Sequence, residues 1–207
     1  MPELFLELFS EEIPPALQID ARKKIKKIFE ENLEKKNIQF KTSNSFSTPK
    51  RLVFVFDGLS EKIEQKEKII KGPKVGSPQV AIDGFIKSNN LSKLDIYKKK
   101  LEKGEFYFAE TKPKVIVILE ELRSIIPEVL QDYSWKKSMR WSTYELSWGR
   151  PLKSIIALFN NEIINFNFFH LKSSNLTSID GVNDDNIKKV NSFKSYLSIL
   201  KSQNIIL

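Results

Sequence analysis

The apolar residues near the start of the chain predict a buried strand followed by a long helix. The run from Leu4 to Phe9 carries large apolar side chains on both faces, which is typical of a strand inside a sheet. Ser10-Glu11-Glu12 interrupts this run, and Pro14-Pro15 ends it, because a residue before a proline avoids the helical region. Pro15 suits the first position of a helix, where its missing N–H costs nothing. The predicted helix extends to about Lys36.

Hairpin and helix patterns alternate along the remainder of the chain. Together they predict an α+β fold with mixed, mostly antiparallel sheets and two long helices. Pro127 falls inside the second long helix, which it should kink or split into two. The predicted elements are an antiparallel hairpin at 38–46 and 51–57, an exposed strand at 61–71, a loop at 71–78, a short helix at 78–90, a hairpin at 96–101 and 105–111, the second long helix at 114–133, a hairpin at 155–159 and 163–171, a polar loop at 173–186, a helix at 192–202 and the beginning of a strand at 204–207.

The end of the sequence suggests that the chain belongs to something longer. We interpret residues 1–172 as one α+β domain and residues 173–207 as a polar loop and the start of a following element. The sequence stops inside the apolar run Ile205-Ile206-Leu207, and a natural chain end rarely falls on an unpaired apolar strand. We therefore expect the chain to be truncated.

Charge and composition narrow the classes of protein. The 207 residues carry a formal net charge of +8 and a pI near 9.4, which favours a polyanionic partner. The absence of cysteine excludes disulfides, thiolate metal sites and cysteine nucleophiles within this chain. Its single histidine, His170, excludes a metal site built from several histidines, and we expect it to be a hydrogen-bonded structural residue. Neither a bilayer-spanning apolar run nor a secretory signal is recognisable, so we expect a cytoplasmic protein without a metal.

The segment from Trp135 to Trp148 combines basic and aromatic residues more densely than the rest of the chain. It contains all three tryptophans. Arginine can bind a phosphate through two parallel hydrogen bonds, and tryptophan can stack on an unpaired base. One interpretation of this segment is therefore a contact with RNA. The cationic residues in it and just after it are Lys136, Lys137, Arg140, Arg150 and Lys153.

A structural interpretation of the same segment stays open. Its apolar residues would anchor it in the core, and Arg140 would pair with a buried carboxylate such as Glu11 or Glu12. We expect at least one of Arg51, Arg140 and Arg150 to be structural.

Glu11 and Glu12 themselves allow two interpretations. They lie beside the N-terminus of a predicted helix, where the helix dipole favours negative charge, or they bind a basic partner or an arginine of this chain. Because the two residues are adjacent, their side chains diverge, which suits an acid–base pair poorly. The sequence also lacks Ser-His-Asp spacing, a metal-ligand cluster and an adenylate-forming signature. We predict no catalytic residue.

Five short motifs follow one another along the chain. They are Leu6-Glu7-Leu8-Phe9-Ser10-Glu11-Glu12-Ile13-Pro14-Pro15, Thr48-Pro49-Lys50-Arg51-Leu52, Lys71-Gly72-Pro73, Lys137-Ser138-Met139-Arg140-Trp141 and Arg150-Pro151-Leu152. In this order and at these separations, they resemble the N-terminal region of the beta subunit of bacterial heterotetrameric glycyl-tRNA synthetase, and the first looks most like alphaproteobacterial members. Two departures stand out. The family usually has a histidine where this chain has Lys153, and its Gly-His-Arg-Phe motif is replaced here by Thr177-Ser178-Ile179-Asp180-Gly181.

The resemblance implies a supporting role in the attachment of glycine to tRNA. In this family the alpha subunit activates glycine with ATP and holds the aminoacylation site, whereas the beta subunit binds and positions the tRNA. We therefore expect tRNA(Gly) and the alpha subunit as partners, ATP and Mg²⁺ at the alpha subunit, and neither cofactor nor catalytic site in this chain. The implied fold is that of the mixed α/β B3/B4 domain of the phenylalanyl-tRNA synthetase beta subunit. Two alternatives remain: a purely structural scaffold without RNA contact, and a free-standing hydrolase using Glu11 or Glu12.

The resemblance and the charge pattern together give the candidate residues. Candidates for tRNA binding are Lys50, Arg51, Lys71, Lys136, Lys137, Arg140, Trp141 and Arg150. Candidates for a structural role in the motifs are Glu11, Glu12, Pro14, Pro15, Gly72 and Pro73.

Overall fold

The computed structural model describes residues 2–65, 69–89, 91–101, 104–110, 114–179 and 186–207. Its strands are β1 (Glu3–Ser10), β2 (Thr42–Thr48), β3 (Arg51–Asp57), β4 (Lys62–Gln65), β5 (Ile69–Lys74), β6 (Ile96–Leu101), β7 (Gly104–Glu110), β8 (Lys114–Val117), β9 (Leu152–Phe159), β10 (Glu162–Ile163), β11 (Asn167–Phe168), β12 (Leu171–Ser174), β13 (Leu176–Ser178) and β14 (Ile187–Lys189). Its helices are α1 (Pro15–Lys35), α2 (Gln79–Ser88), α3 (Ile118–Asp132) and α4 (Phe193–Ser202), with a 3-10 turn at Lys93–Asp95. The predicted α+β class with mostly antiparallel sheets is confirmed. The chain divides into two units, Met1–Ile63 with Val117–Leu207 and Glu64–Ile116.

Strand β1 lies in the middle of the sheet of the first unit. It pairs antiparallel with β3 on one side and with β9 on the other, and the strand order is β11-β12-β9-β1-β3-β2. Strand β12 runs parallel to β9, and β10 pairs antiparallel with β9. Every residue of β1 from Leu4 to Ser10 is buried. The prediction of a fully covered strand is therefore confirmed.

Helices cover both faces of this sheet. Leu4, Leu6 and Leu8 belong to a core cluster that also contains the buried side chains of α1 and α3. Phe5 points to the opposite face, as the alternation of side chains along a strand requires. There it packs against Tyr196 of α4, with ring centroids 4.9 Å apart.

Helix α1 begins and ends as its sequence predicts. Pro14 is the N-cap residue and Pro15 the first helical residue. At the C-terminus, Asn37 adopts a φ of 57°, and its amide donates to the carbonyl of Glu34 at 2.8 Å. The amide of Ile38 donates to the carbonyl of Leu33 at 2.8 Å, which completes a Schellman motif. Ile38 thus belongs to the helix cap, and the strand predicted from residue 38 begins only at Thr42.

The second unit contains an antiparallel sheet in the order β5-β7-β6 and the helix α2. Gly72 lies in edge strand β5, where a side chain would not fit, because a Cβ atom there would lie 2.8 Å from the ring of Phe85 in α2. The register of β5 shifts between Lys71 and Lys74, and Pro73 falls in this irregularity. Proline has no N–H to donate to a ladder, so an irregular edge strand accommodates it. The Lys-Gly-Pro motif was predicted as part of a loop, but it belongs to this strand.

Several predicted boundaries are wrong for local reasons. The helix predicted at 114–133 begins only at Ile118, because the preceding residues form β8; it then runs through Pro127 as a single helix. The strand predicted at 163–171 is divided into β10 and β11. The strand predicted at 204–207 does not form. Helix α4 ends with the amide of Ile205 donating to the carbonyl of Leu200 at 2.9 Å, which turns the last residues back onto the core.

The described part of the chain gives no helix that is long and apolar enough to cross a membrane. Residues 173–179 and 186–207 belong to the first unit. The boundary predicted at residue 173 does not coincide with this division, and it stays a prediction about where a following element begins.

Candidate nucleic-acid interface

Three of the five motifs meet at the end of β1. The amide of Ser10 donates to the carbonyl of Lys50 at 2.9 Å, and the amide of Ile13 donates to that of Pro49 at 2.7 Å. The amide of Glu11 donates to the carbonyl of Pro151 at 2.9 Å. The corner that carries Glu11 and Glu12 is therefore held by the strands on both sides of β1.

The two carboxylates at this corner differ in their surroundings. Glu11 forms an ion pair with Lys153, with Oε1 and Nζ 2.5 Å apart, and both side chains are more than one-third exposed. Glu12 is exposed and, with Lys50 and Thr48, lines a shallow cleft of about 280 Å³. Arg140, which the structural interpretation paired with one of these glutamates, is exposed, and the partner of Glu11 is Lys153 instead.

A buried polar cluster lies beneath the same end of the sheet. The Oε1 atom of Glu7 accepts hydrogen bonds from Arg51 Nε at 3.1 Å, Thr177 Oγ1 at 3.0 Å and Tyr196 Oη at 2.6 Å. Arg51 Nη2 also donates to the carbonyls of Ser178 at 2.5 Å and Ile179 at 3.1 Å. This cluster thus connects the centre of the sheet to β13 and α4. The sequence motifs contain both charged residues, but the sequence did not identify Glu7 as the partner.

Burial controls the electrostatics of this cluster. Loss of solvation raises the pKa of the Glu7 carboxyl group, although the positive charge of Arg51 and the hydrogen bonds from Tyr196 and Thr177 oppose the rise. Burial and the neighbouring Glu7 carboxylate both raise the pKa of Tyr196 far above its usual range. Arg51 is only 3% exposed, and its Nε and Nη2 atoms donate to buried acceptors of this chain. Arg51 is therefore a structural residue in this chain, which removes it from the candidates for tRNA contact.

The tryptophan segment is divided between core and surface. Trp135 and Trp148 are 8% and 2% exposed and pack edge to face, with ring centroids 5.2 Å apart. Gly149 lies directly against the first ring, because a Cβ atom there would come within 2.3 Å of Trp135 Cε3. Backbone hydrogen bonds in both directions between Met139 and Trp148, at 2.8 and 3.1 Å, close the segment into a loop. These two tryptophans are anchors and are not available for stacking on a base.

The cationic residues of the segment remain at the surface. Lys136, Lys137 and Arg140 are exposed, whereas Trp141 and Arg150 are half-buried. The Nζ atom of Lys136 lies 3.5 Å from Asp20 Oδ1, and the Nζ atom of Lys24 lies 3.1 Å from the same oxygen. The hydrogen bond from Lys24 is the main reason that the pKa of Asp20 is lowered. The loop therefore presents positive charge above an apolar anchor.

An aromatic group that the sequence did not predict lies beside this positive charge. The rings of Tyr144 and His170 stack with centroids 3.6 Å apart and an interplanar angle of 4°, and Trp141 packs edge-on against both. His170 was expected to be a hydrogen-bonded structural residue. It is exposed, in the turn between β11 and β12, and the prediction of a structural role stays a prediction. Sequence spacing gave no signal for this stack, because 26 residues separate the two rings along the chain.

Lys71, Gly72 and Pro73 belong to the second unit. Lys71 Nζ lies 3.8 Å from the centroid of the Phe106 ring, a cation–π contact on the face of the sheet. Gly72 and Pro73 have the structural positions described above. A role for Lys71 in tRNA binding stays a prediction, as it does for Lys50. The described ranges contain no group of three or more histidine, aspartate or glutamate side chains that could hold a metal ion.

Comparison with known proteins gives a consistent match along the chain. A family model described as glycyl-tRNA synthetase beta subunit matches residues 4–207. The chain is 38% identical over 207 residues to the glycine–tRNA ligase beta subunits of Rickettsia peacockii (strain Rustic) and Rickettsia bellii (strain OSU 85-389). It is 37% identical over 205 residues to that of Rickettsia prowazekii (strain Madrid E). These matches cover at least 99% of this chain but only 31% of each relative, so the chain spans about a third of their length.

Proposed function

Because the chain belongs to the glycyl-tRNA synthetase beta subunit family, we propose that it supports the attachment of glycine to tRNA(Gly) by binding the tRNA. The resemblance stated from the sequence motifs, including the likeness to alphaproteobacterial members, is confirmed by the match to Rickettsia relatives. The observation that supports the tRNA-binding role most directly is that the tryptophan segment buries some of its apolar side chains and exposes its cationic ones. Trp135, Leu146 and Trp148 are anchored in the core, whereas the cationic side chains of the segment, Lys136, Lys137 and Arg140, are exposed.

The arrangement suits a phosphate backbone better than it suits catalysis. From residue 135 to residue 153 the sequence has five cationic residues and one acidic residue, Glu145. Exposed lysine and arginine side chains bind phosphates largely through charge, with affinity that falls steeply as salt rises. Of the two glutamates of the hydrolase alternative, Glu11 forms an ion pair with Lys153 and Glu12 is exposed. The geometry gives no support to that alternative.

The remaining parts of the proposal follow from the family. We propose that the chain associates with an alpha subunit, that ATP and Mg²⁺ act at that subunit, and that the complex works in the cytoplasm, where tRNA is charged. We also propose that the fold resembles the B3/B4 domain of the phenylalanyl-tRNA synthetase beta subunit. Superposition on an experimental structure of that domain tests this last point, since a different strand order would contradict it.

A charge-removal experiment tests the tRNA-binding role. The variant Lys136→Gln, Lys137→Gln, Arg140→Gln removes three positive charges from the loop. The control Lys23→Gln, Lys27→Gln, Lys35→Gln removes three from exposed positions of α1, so both proteins have the same net charge. Affinity for tRNA is measured by filter binding across a salt series. We expect the loop variant to make the slope of log affinity against log salt shallower, by up to about 0.9 for each of the three charges removed, and the control to change this slope little.

The outcome also separates the proposal from the scaffold alternative. Wild-type protein that fails to bind tRNA even at low salt would favour a scaffold without RNA contact. Equal losses in the loop variant and the α1 variant would show that binding follows net charge alone and does not depend on the tryptophan segment.

A further inference from the structure

The stacked rings of Tyr144 and His170 form an aromatic surface that the core does not require. Tyr144 is 40% exposed and His170 is exposed, yet their rings lie parallel within 4°. Aromatic pairs prefer offset or edge-to-face packing, so a nearly face-to-face pair at a centroid distance of 3.6 Å is not what packing alone favours. Trp141, packed edge-on against both rings, fixes their orientation.

Both turns that present this stack have an unusual backbone. Trp141 and Tyr144 are joined by a turn in which the Tyr144 amide donates to the Trp141 carbonyl at 3.3 Å, and Ser142 within it has a φ of 53°. His170 follows Phe169, which has a φ of 52°. Residues other than glycine rarely adopt a positive φ, and bulky ones do so least often. Such backbone strain tends to persist where a side chain must be held for a function. Two separate turns thus hold strained residues next to one pair of rings.

Two exposed cationic residues lie near this pair in the sequence. Arg140 immediately precedes Trp141, and Lys172 follows His170 by two residues; both are exposed. Glu145, also exposed, is the acidic residue beside Tyr144. Aromatic faces beside lysine and arginine are the combination that binds single-stranded nucleic acid, because the rings stack on unpaired bases and the cations contact the phosphates.

We propose that the Tyr144–His170 pair is a stacking platform for an unpaired RNA base, oriented by Trp141, and that Arg140 and Lys172, which lie near the two rings in the sequence, contact the adjacent phosphates. This inference rests on the proposed tRNA-binding role and adds that the loop contacts a single-stranded part of the RNA. The anchor residues Trp135 and Trp148 have no direct part in it, because they are buried.

The test compares two RNA probes on the 207-residue chain. One is a fluorescein-labelled single strand of about eight nucleotides, a length within the site sizes of single-strand binders, and the other is a blunt duplex with the same number of phosphates. Tyr144→Ala removes one ring, and Tyr144→Phe, which keeps the ring, is the matched control. Tyr97→Ala removes a tyrosine of similar exposure from β6 in the second unit.

We expect Tyr144→Ala to weaken binding of the single strand on the order of 10-fold, with duplex binding and the salt dependence unchanged. Tyr144→Phe and Tyr97→Ala should stay within about two-fold of wild type. His170→Ala should repeat the selective loss. The thermal unfolding midpoint of each variant is recorded, and a selective loss between two probes in a single preparation is not explained by misfolding.

Each other result overturns the inference. If wild-type protein binds both probes and Tyr144→Ala binds the single strand with the same affinity as wild type, the platform is refuted and the proposed tRNA-binding role stays intact. Equal losses for single strand and duplex would assign the ring a merely structural role. Wild-type protein that binds neither probe at low salt would contradict the tRNA-binding role and the platform together.

Discussion

Removal of Arg51, whose ion pair with Glu7 is buried, should destabilise the protein far more than removal of Lys153, whose ion pair with Glu11 is shorter but exposed. Arg51→Met keeps an apolar stem but leaves the Glu7 carboxylate buried without its counter-charge, and it removes the donors to the carbonyls of Ser178 and Ile179. Breaking a buried pair in this way costs about 3–5 kcal/mol. Native domains have only about 5–15 kcal/mol of unfolding free energy, so the loss is a large fraction of the total. For a chain of this size it corresponds to a fall of roughly 6–20 °C in the unfolding midpoint.

The chain provides its own control and its own probe. Lys153→Met breaks the exposed pair with Glu11 and should cost about 1 kcal/mol or less. Urea unfolding is followed by tryptophan fluorescence, because Trp135 and Trp148 are buried in the native protein and become solvated on unfolding. The double variant Glu7→Gln, Arg51→Met should be more stable than Arg51→Met alone, since glutamine is uncharged and still offers an oxygen to Tyr196.

The pH dependence gives a second, independent signature of the same pair. Burial raises the pKa of Glu7 in the folded protein, so the folded state binds its proton more tightly than the unfolded state does. The resulting stability is present in full below the unfolded pKa and is lost as pH rises through the folded pKa. Without Arg51 the pKa should rise further, so the deficit of Arg51→Met should be smaller near pH 5 than near pH 7–8. A cost below about 1 kcal/mol at neutral pH, or a double variant no more stable than the single, would refute this reasoning.

Two further substitutions test local packing and backbone strain. Gly149→Ala should lower the free energy of unfolding by about 1–3 kcal/mol, because the new Cβ atom would come within 2.3 Å of the Trp135 ring. Gly84→Ala in α2 is the control, because a Cβ atom there has nothing within 4 Å, and it should be neutral or slightly stabilising. Both are measured in the same urea titration. Ser142→Gly should leave the free energy of unfolding unchanged or raise it by up to about 1 kcal/mol, because glycine adopts a positive φ without strain. A clear loss of stability in calorimetry would show that the serine side chain is needed.

Local pattern predicts most elements of this fold but not how they are assembled. The proline pair and the apolar stripe define α1 because their physical causes are contained in the sequence of that helix itself. The error at residues 114–117 has a local cause as well. Val115, Ile116 and Val117 fit the apolar side of a helix, but successive β-branched residues favour a strand, and here that preference decides the outcome. The order of strands in the sheet depends on long-range contacts that periodicity does not encode.

The candidate site shows the same limit. The surface position of Lys136, Lys137 and Arg140 is consistent with the charge pattern, whereas the burial of Arg51 was one of two open possibilities. The sequence does contain a signal for the partner of Arg51. Glu7 interrupts an apolar strand that is predicted to be covered on both faces, so the Glu7 carboxylate requires a cation or a set of hydrogen-bond donors. The stack of Tyr144 and His170 has no such signal, because it depends on two turns that are distant in sequence and meet only in the folded chain.

Stability and the proposed RNA binding should be separable in this chain, because the buried pair and the tryptophan segment lie on opposite sides of one sheet. Glu7 shares a face with Phe5, toward α4, whereas Trp148 belongs to the core cluster on the other face with Leu4 and Leu6. Sites without shared partners usually contribute additively, within about 0.5 kcal/mol. The double variant Arg51→Met, Tyr144→Ala should therefore show the stability loss of the first change and the single-strand binding loss of the second, measured below its unfolding midpoint. A coupling well above 0.5 kcal/mol in either property would show that the buried pair also positions the aromatic surface.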